Sequence, residues 1–181
     1  MEDGQLLLKI SSIGDKQVGK SCLIKRYCEG RFVNKYITTI GVDYGVKKMN
    51  IQQKKCSINF FDLSGDDDYK DIRNEFFKDS QGILMVFDLN NEQSFNNLQK
   101  WENTMSQNKL NFQDSIIFVV GNKSDQQQVV QDNQVQQYCK KKGYQFFKTS
   151  ALNGDNVNQV FESLFQKIVT KILEEQRVQQ K

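Results

Sequence analysis

Histidine and proline are both absent from the 181 residues. Without histidine there can be no Ser-His or Cys-His nucleophile pair, no imidazole metal site and no imidazole pH switch. Without proline no segment can serve as a PxxP ligand or a proline-stiffened linker. Long apolar runs are missing as well: Gly82 to Phe87 and Ser115 to Val120 are far too short to cross a bilayer. A formal net charge of +3 is too small to argue for nucleic acid or an anionic membrane as partner. The four cysteines, at 22, 28, 56 and 139, include no Cys-x-x-Cys pair. With no signal-like N-terminus they are expected to be free, buried thiols of a reducing compartment.

What remains is an ordinary globular composition, 38% hydrophobic and 26% charged, long enough for one domain with a full core but not for two. About a fifth of the chain is Asn or Gln. Runs such as Gln126-Gln127-Gln128 fall between periodic segments, so they read as a compositional bias laid over a fold. The expected division is a single domain over 1–181, with its core at about 6–173 and a short polar tail at 174–181.

Leu6 to Ile13 is a short apolar run ending at a glycine, which predicts a buried strand, and Ser21 to Glu29 carries a helical pattern. Val42 to Gln52 and Cys56 to Phe61 alternate, predicting an antiparallel pair across Gln53-Lys54. Tyr69 to Lys78, Ser94 to Met105, Val129 to Cys139 and Val157 to Leu173 read as helices, with strands at Ile83 to Phe87, Ile116 to Val120 and Tyr144 to Lys148. Lys140-Lys141-Lys142-Gly143 reads as a helix C-terminus, cations at the negative end of the dipole and glycine for the left-handed turn, in preference to a membrane patch. Strands alternating with helices predict an open, mostly parallel α/β sheet with ligand sites at the carboxyl ends of its strands.

Four such ends carry chemistry. Gly14-Asp15-Lys16-Gln17-Val18-Gly19-Lys20-Ser21 fits the phosphate-loop spacing between a strand and a helix, and continues into Cys22. Backbone N–H groups and the helix N-terminus would cradle phosphates, Lys20 would reach the β- and γ-phosphates, and the Ser21 hydroxyl would ligate Mg²⁺. The bland alternative is a glycine-rich turn, but a chance match in such a chain has a probability below about 1%. Asp62-Leu63-Ser64-Gly65 can place a carboxylate in a Mg²⁺ shell and let the Gly65 N–H approach a γ-phosphate. Asn122-Lys123-Ser124-Asp125 offers an Asp125 carboxylate to guanine N1–H and the 2-amino group, a donor pair adenine lacks. Ser150-Ala151-Leu152 can present backbone N–H to guanine O6.

In this order the four motifs resemble a small Ras-superfamily GTPase from about Leu6 to Ile172, which implies a P-loop G domain. Its pattern is a six-stranded, mostly parallel sheet with one antiparallel edge strand and five flanking helices, holding GTP or GDP with Mg²⁺. Thr39-Ile40-Gly41-Val42-Asp43-Tyr44, Phe95-Asn96-Asn97 and Trp101 look Rab-like. That likeness implies Thr39 as a second Mg²⁺ ligand, Phe32 stacked on guanine, and Tyr44, Phe61 and Phe76 as an aromatic patch that meets effectors; core packing is the equal alternative for those three. Tyr27-Cys28-Glu29-Gly30-Arg31-Phe32 and Arg73-Asn74-Glu75-Phe76-Phe77-Lys78-Asp79 resemble the RJL branch, which is associated with flagellated cells and sometimes with a C-terminal J domain. No J domain is expected within these 181 residues. The resemblance therefore suggests a cytoplasmic protein, with a ciliary or flagellar assembly as the place to look for it.

Four departures stand out. Asp66 takes the place of the Gln that orients the attacking water, while Lys16 and Gln17 occupy loop positions usually small. Leu152 replaces a Lys. With Glu2 and a C-terminus without cysteine, neither myristoylation nor prenylation is expected, so no direct membrane anchor. Three functions are open: a switch whose residues 32–44 and 63–80 order on GTP loading, a nucleotide-holding scaffold, and an ATPase or nucleoside kinase. Asn122 and Asp125 weigh against the last. Slow hydrolysis is expected, with Lys16 and Asp66 paired across the site.

Overall fold

The computed structural model describes residues 4–32, 34, 37–108 and 111–179. Part of the expected first switch (33, 35 and 36), the last two residues and the N-terminal Glu2 lie outside that set. Strand β1 (Leu6–Ile13) leads into helix α1 (Lys20–Glu29), then β2 (Val42–Ile51) and β3 (Lys54–Leu63). After a 3₁₀ turn at Asp67–Tyr69 come α2 (Lys70–Asn74), β4 (Gly82–Asp88), α3 (Glu92–Asn96), α4 (Leu98–Gln107) and β5 (Ile116–Asn122). The chain then runs through α5 (Asp132–Lys142), β6 (Gln145–Lys148) and α6 (Val157–Gln179). The six strands lie in the order β2-β3-β1-β4-β5-β6, parallel except for the β2–β3 pair. This is the expected α/β sheet with its antiparallel edge strand, and the five expected helices are there, the third in two segments, α3 and α4.

Two cores lie on the sheet's two faces, sorted by the period-2 alternation of buried strands. On β4, Leu84 and Val86 join Tyr27, Phe161 and Phe165 beneath α1 and α6. Ile83, Met85 and Phe87 join Trp101, Met105 and Val135 beneath α4 and α5. Because successive crossovers leave β1 toward opposite neighbours, β3 and β4, a crevice opens at its carboxyl end, where such sheets bind ligands.

Several boundaries differ from expectation. The helix expected at Tyr69 to Lys78 survives only as Lys70–Asn74. Beyond it the N–H groups of Phe76 and Phe77 turn to carbonyls three residues back. That tighter course sinks Phe77 wholly into the core while Phe76 lies half-buried on Phe61. Helix α5 starts later than Val129, because the N–H groups of Val129 and Val130 both donate to the Leu89 carbonyl and hold that stretch extended. Its C-terminus is as expected: Gly143 adopts φ 73° and its N–H caps Lys140. The polar tail is not a tail, since residues 174–179 continue α6. Nor are all thiols buried: Cys56 and Cys139 are, but Cys28 is exposed.

The β2–β3 hairpin turns on Gln52-Gln53, both left-handed at φ 49° and 64°. A two-residue hairpin of this twist needs positive φ at both positions, which glutamine adopts only at a cost of about 1 kcal/mol each. Gln52 is held by its amide on Thr170 of α6, but Gln53 makes no such contact among the described residues. Gln53→Gly should therefore stabilise the fold by about 0.5–1 kcal/mol, read as a higher urea midpoint at unchanged slope.

Candidate functional site

The loop between β1 and α1 closes around Lys20. Its ammonium is buried and donates to the carbonyls of Gly14 and Asp15, both at 2.8 Å. No carboxylate lies within ion-pair distance among the described residues, and burial lowers the Lys20 pKa from its ordinary 10.5 to about 8, with the more distant Asp62 and Asp15 opposing the shift. Gly14 must be glycine: at φ 135° a Cβ would stand 2.0 Å from the Val86 carbonyl oxygen. Gln17 sits at φ 65°, a left-handed position where glycine would be unstrained.

Opposite the loop, three oxygens converge. The Ser21 hydroxyl donates to Asp62 Oδ2 at 2.5 Å, Thr39 Oγ1 donates to the same oxygen at 3.2 Å, and the two hydroxyls are 3.1 Å apart. Asp62 Oδ1 is buried with no partner, and desolvation raises the carboxyl pKa against the pull of Ser21 and Lys20. An orphaned carboxylate oxygen beside two hydroxyls is an all-oxygen set that suits a hard divalent cation such as Mg²⁺.

Gly65 packs its bare Cα on the phosphate loop, where a Cβ would come within 2.3 Å of the Lys16 nitrogen. Beyond it Asp66 accepts from the Asp68 N–H with one oxygen and faces Lys16 Nζ at 3.6 Å with the other. The pairing expected from sequence is therefore present, between a largely exposed lysine and a half-buried carboxylate.

At the far end of the crevice Asn122 is a strut rather than an open contact. Its amide donates to the Val18 carbonyl at 2.9 Å and accepts from the Ala151 N–H at 3.1 Å, tying three loops together. Lys123 is held by Asp88 at 2.5 Å, and the Ser150 hydroxyl donates to Asp125 Oδ1, aiming an exposed carboxylate. The cleft between these groups measures about 280 Å³ and is lined by Gln17, Gly19, Cys22, Phe32, Thr39, Lys123, Asp125 and Leu152 among others, so it gathers the four sequence motifs into one place.

Sequence reasoning missed Arg26, whose guanidinium donates from Nε to the Ala151 carbonyl at 2.8 Å and from a terminal nitrogen to the Leu152 carbonyl. It also missed the second role of Asp15, which accepts from the Trp101 indole at 2.8 Å and from the Asn97 amide at 2.7 Å. Only the Gly-Asp opening of the loop hinted that a side chain there has work outside the cleft.

The sequence model of the Ras family matches residues 9–170. DnaJ homolog subfamily C member 27 of Danio rerio is 40% identical over 168 residues, covering 90% of this chain and 62% of that protein. Its Homo sapiens counterpart is 39% identical over 169 residues, covering 91% and 62%, and DnaJ homolog subfamily C member 27-B of Xenopus laevis is 40% identical over 172 residues with the same coverage. The chain thus spans about three-fifths of the length of these relatives, and the narrower RJL likeness agrees with them.

The Lys20 shift has a testable consequence in nucleotide-free protein. Between pH of about 8 and 10.5 the unfolded lysine holds a proton that the folded one has lost, so the contribution of Lys20 to stability rises with pH across that window. Buried thiols and tyrosines, whose pKa values burial raises, act in the opposite direction, so the test is a difference: in chemical denaturation at a series of pH values the stability of the wild type relative to Lys20→Met should rise across that window.

Proposed function

Because the chain belongs to the Ras family, we propose that it is a Rab-like guanine-nucleotide switch that needs Mg²⁺ and hydrolyses GTP slowly. The observation that carries the nucleotide reading is the meeting of a buried, carboxylate-free Lys20 with an aimed Asp125 at the two ends of one cleft. An ammonium desolvated without a counter-charge is a site for phosphate, and a fixed carboxylate is a site for the paired donors of guanine. The roles then follow by position. The loop from Gly14 to Ser21 binds phosphates, and Phe32, Lys123 and Leu152 flank the base. Asn122 and Arg26 hold the base-side loops, while Ser21, Thr39 and Asp62 hold the cation. Mg²⁺, when bound, would draw charge from the β- and γ-phosphates. Tyr44, exposed and 5.0 Å from Phe61, and Phe76, 5.4 Å from Phe61, form a continuous aromatic strip fit for a protein partner. A ciliary or flagellar assembly, suggested by the RJL likeness, is the first place to seek it. Among the described residues no helix is long and apolar enough to cross a membrane.

Competition for labelled GDP tests the base assignment. Unlabelled GTP should displace it while ATP at the same concentration does not, with a preference of about 10⁴ or more. Asp125→Asn should transfer that preference toward xanthine nucleotides, whose 2-oxo group accepts where guanine donates.

Slow hydrolysis rests on Asp66 and Lys16. A carboxylate, unlike a glutamine amide, has no N–H to donate toward the phosphate charge that must be stabilised, and repels that charge. Its contact with Lys16 at 3.6 Å neutralises both groups over the mouth of the site. Single-turnover hydrolysis should run no faster than the unaided family range, about 10⁻⁴ to 10⁻³ s⁻¹, and Lys16→Gly with Asp66→Gln should accelerate it. A faster wild type that loses its rate on either substitution would show instead that the pair is catalytic.

A further inference from the structure

Arg26, on the last turn of α1, directs its guanidinium at main-chain oxygens. Nε donates to the Ala151 carbonyl at 2.8 Å, one terminal nitrogen to the Leu152 carbonyl, and the other to the Gly30 carbonyl at 3.1 Å. The Arg26 carbonyl in turn accepts the Gly30 N–H at 3.0 Å, so this one residue grips Gly30 from both sides. Gly30 closes α1 at φ 69°, and Phe32 stands two residues beyond it. Phe32 and Leu152 both line the cleft, whereas Arg26 does not. A single side chain behind the cleft thus ties together the roots of two of its walls.

We propose that Arg26 is a positioning residue for guanine recognition: by drawing the Ala151 carbonyl out of the cleft, it turns the Leu152 N–H into the cleft as a donor for guanine O6. The inference rests on the guanine-nucleotide reading above and adds a determinant of that same site. No cis peptide occurs among the described residues, so the Ala151–Leu152 peptide is trans, with its carbonyl and its N–H pointing in opposite directions. Holding the carbonyl from behind the wall therefore aims the N–H at the other side. The neighbouring donor is already engaged, since the Ala151 N–H goes to Asn122 Oδ1 at 3.1 Å. The Leu152 N–H meets no acceptor among the described residues. Other bonds tighten this turn without fixing that peptide plane: the Gly154 N–H donates to the Ser150 carbonyl at 2.8 Å, and the Asn153 N–H to Ser150 Oγ at 3.2 Å. Among the described residues Arg26 is the only donor to either the Ala151 or the Leu152 carbonyl. All three of its acceptors are neutral, so the planar fork contributes direction more than charge.

The affinities of GDP, inosine diphosphate and 6-thioguanosine diphosphate for the same preparations test this. The inosine nucleotide lacks the 2-amino group that Asp125 would accept. The 6-thio nucleotide keeps both donors and replaces O6 with sulfur, a weaker acceptor. The wild type should favour GDP over the 6-thio nucleotide by about tenfold, the effect of one hydrogen bond. Arg26→Met keeps an alkyl stem but has no donor. It should bring that preference down to about twofold or less, while its preference for GDP over the inosine nucleotide stays within about twofold of the wild-type value. General loosening of the protein would lower both preferences together. An unaltered sulfur effect in Arg26→Met, or an equal fall in both preferences, overturns the proposal. So does a wild type that binds GDP over the inosine nucleotide yet is indifferent to sulfur, a result that spares the guanine reading. Should Arg26→Met fail to fold, Arg26→Lys carries the same comparison, because it keeps the charge but not the fork. If labelled GDP does not bind the wild type, the guanine-nucleotide reading fails and the proposal falls with it.

Discussion

The Lys20 ammonium is buried at the carboxyl end of a parallel sheet and held by two carbonyl oxygens without a carboxylate, so the free protein carries an unneutralised charge in a poorly solvated place. That is unfavourable by itself, and the sheet, both cores and the left-handed kinks of the loop all contribute to keeping it so. Gly14 tucks against the Val86 carbonyl and Asn122 braces Val18 from across the cleft, which fixes the shape of the loop around its lysine. An anion relieves the cost. Stability is given up to hold a cleft of fixed shape and charge, as expected where a site is preorganised for its ligand.

Arg73 is a second buried cation, and its charge is one of the causes that lower the Lys20 pKa. The two solve the same electrostatic problem differently. Lys20 faces the cleft and keeps its counter-charge for a ligand, whereas Arg73 faces the interior and takes carbonyls, Asp67 and Trp101 as permanent partners. Removing either partner set would strand a charge, which costs far more than losing a surface pair.

How far the sequence could be read followed the distance over which each cause acts. The phosphate loop is legible because its chemistry lies within eight consecutive residues, and the strands because burial on both faces leaves continuous apolar runs such as Ile83 to Phe87. Asp62 and Asp125 are legible as carboxylates at strand ends. Arg26 is not, since its partners lie 125 and 126 residues away, nor is the Asp15–Trp101 bond across 86 residues. At Asn97 the helical bonds run on while the side chain reaches Asp15, so periodicity shows one helix where the structure has two segments. Helix α6 outlasts its apolar stripe because Glu174 to Arg177 are good helix formers on an exposed surface, where propensity acts without packing. The Gln52-Gln53 turn carries none of the Asn-Gly signal such hairpins usually show.

The Lys16–Asp66 pair illustrates why position outweighs strength. Between a largely exposed lysine and a half-buried carboxylate at 3.6 Å, it is worth no more than about 1 kcal/mol to the fold. Asp66 is nonetheless held in place by stronger means: its own N–H donates to Ser64, its carboxylate caps the 3₁₀ turn through Asp68, and its carbonyl is gripped by Arg73. Lys16 extends from the backbone on which Gly65 packs. Asp66 and the Lys16 backbone are thus brought together over the cleft by contacts that do not depend on the attraction of the two charges. Screening by salt would free the exposed Lys16 ammonium but leave Asp66 and the Lys16 backbone where they stand. Their effect on any chemistry below them is therefore set by where the backbone holds them, and Arg73 is part of what holds it.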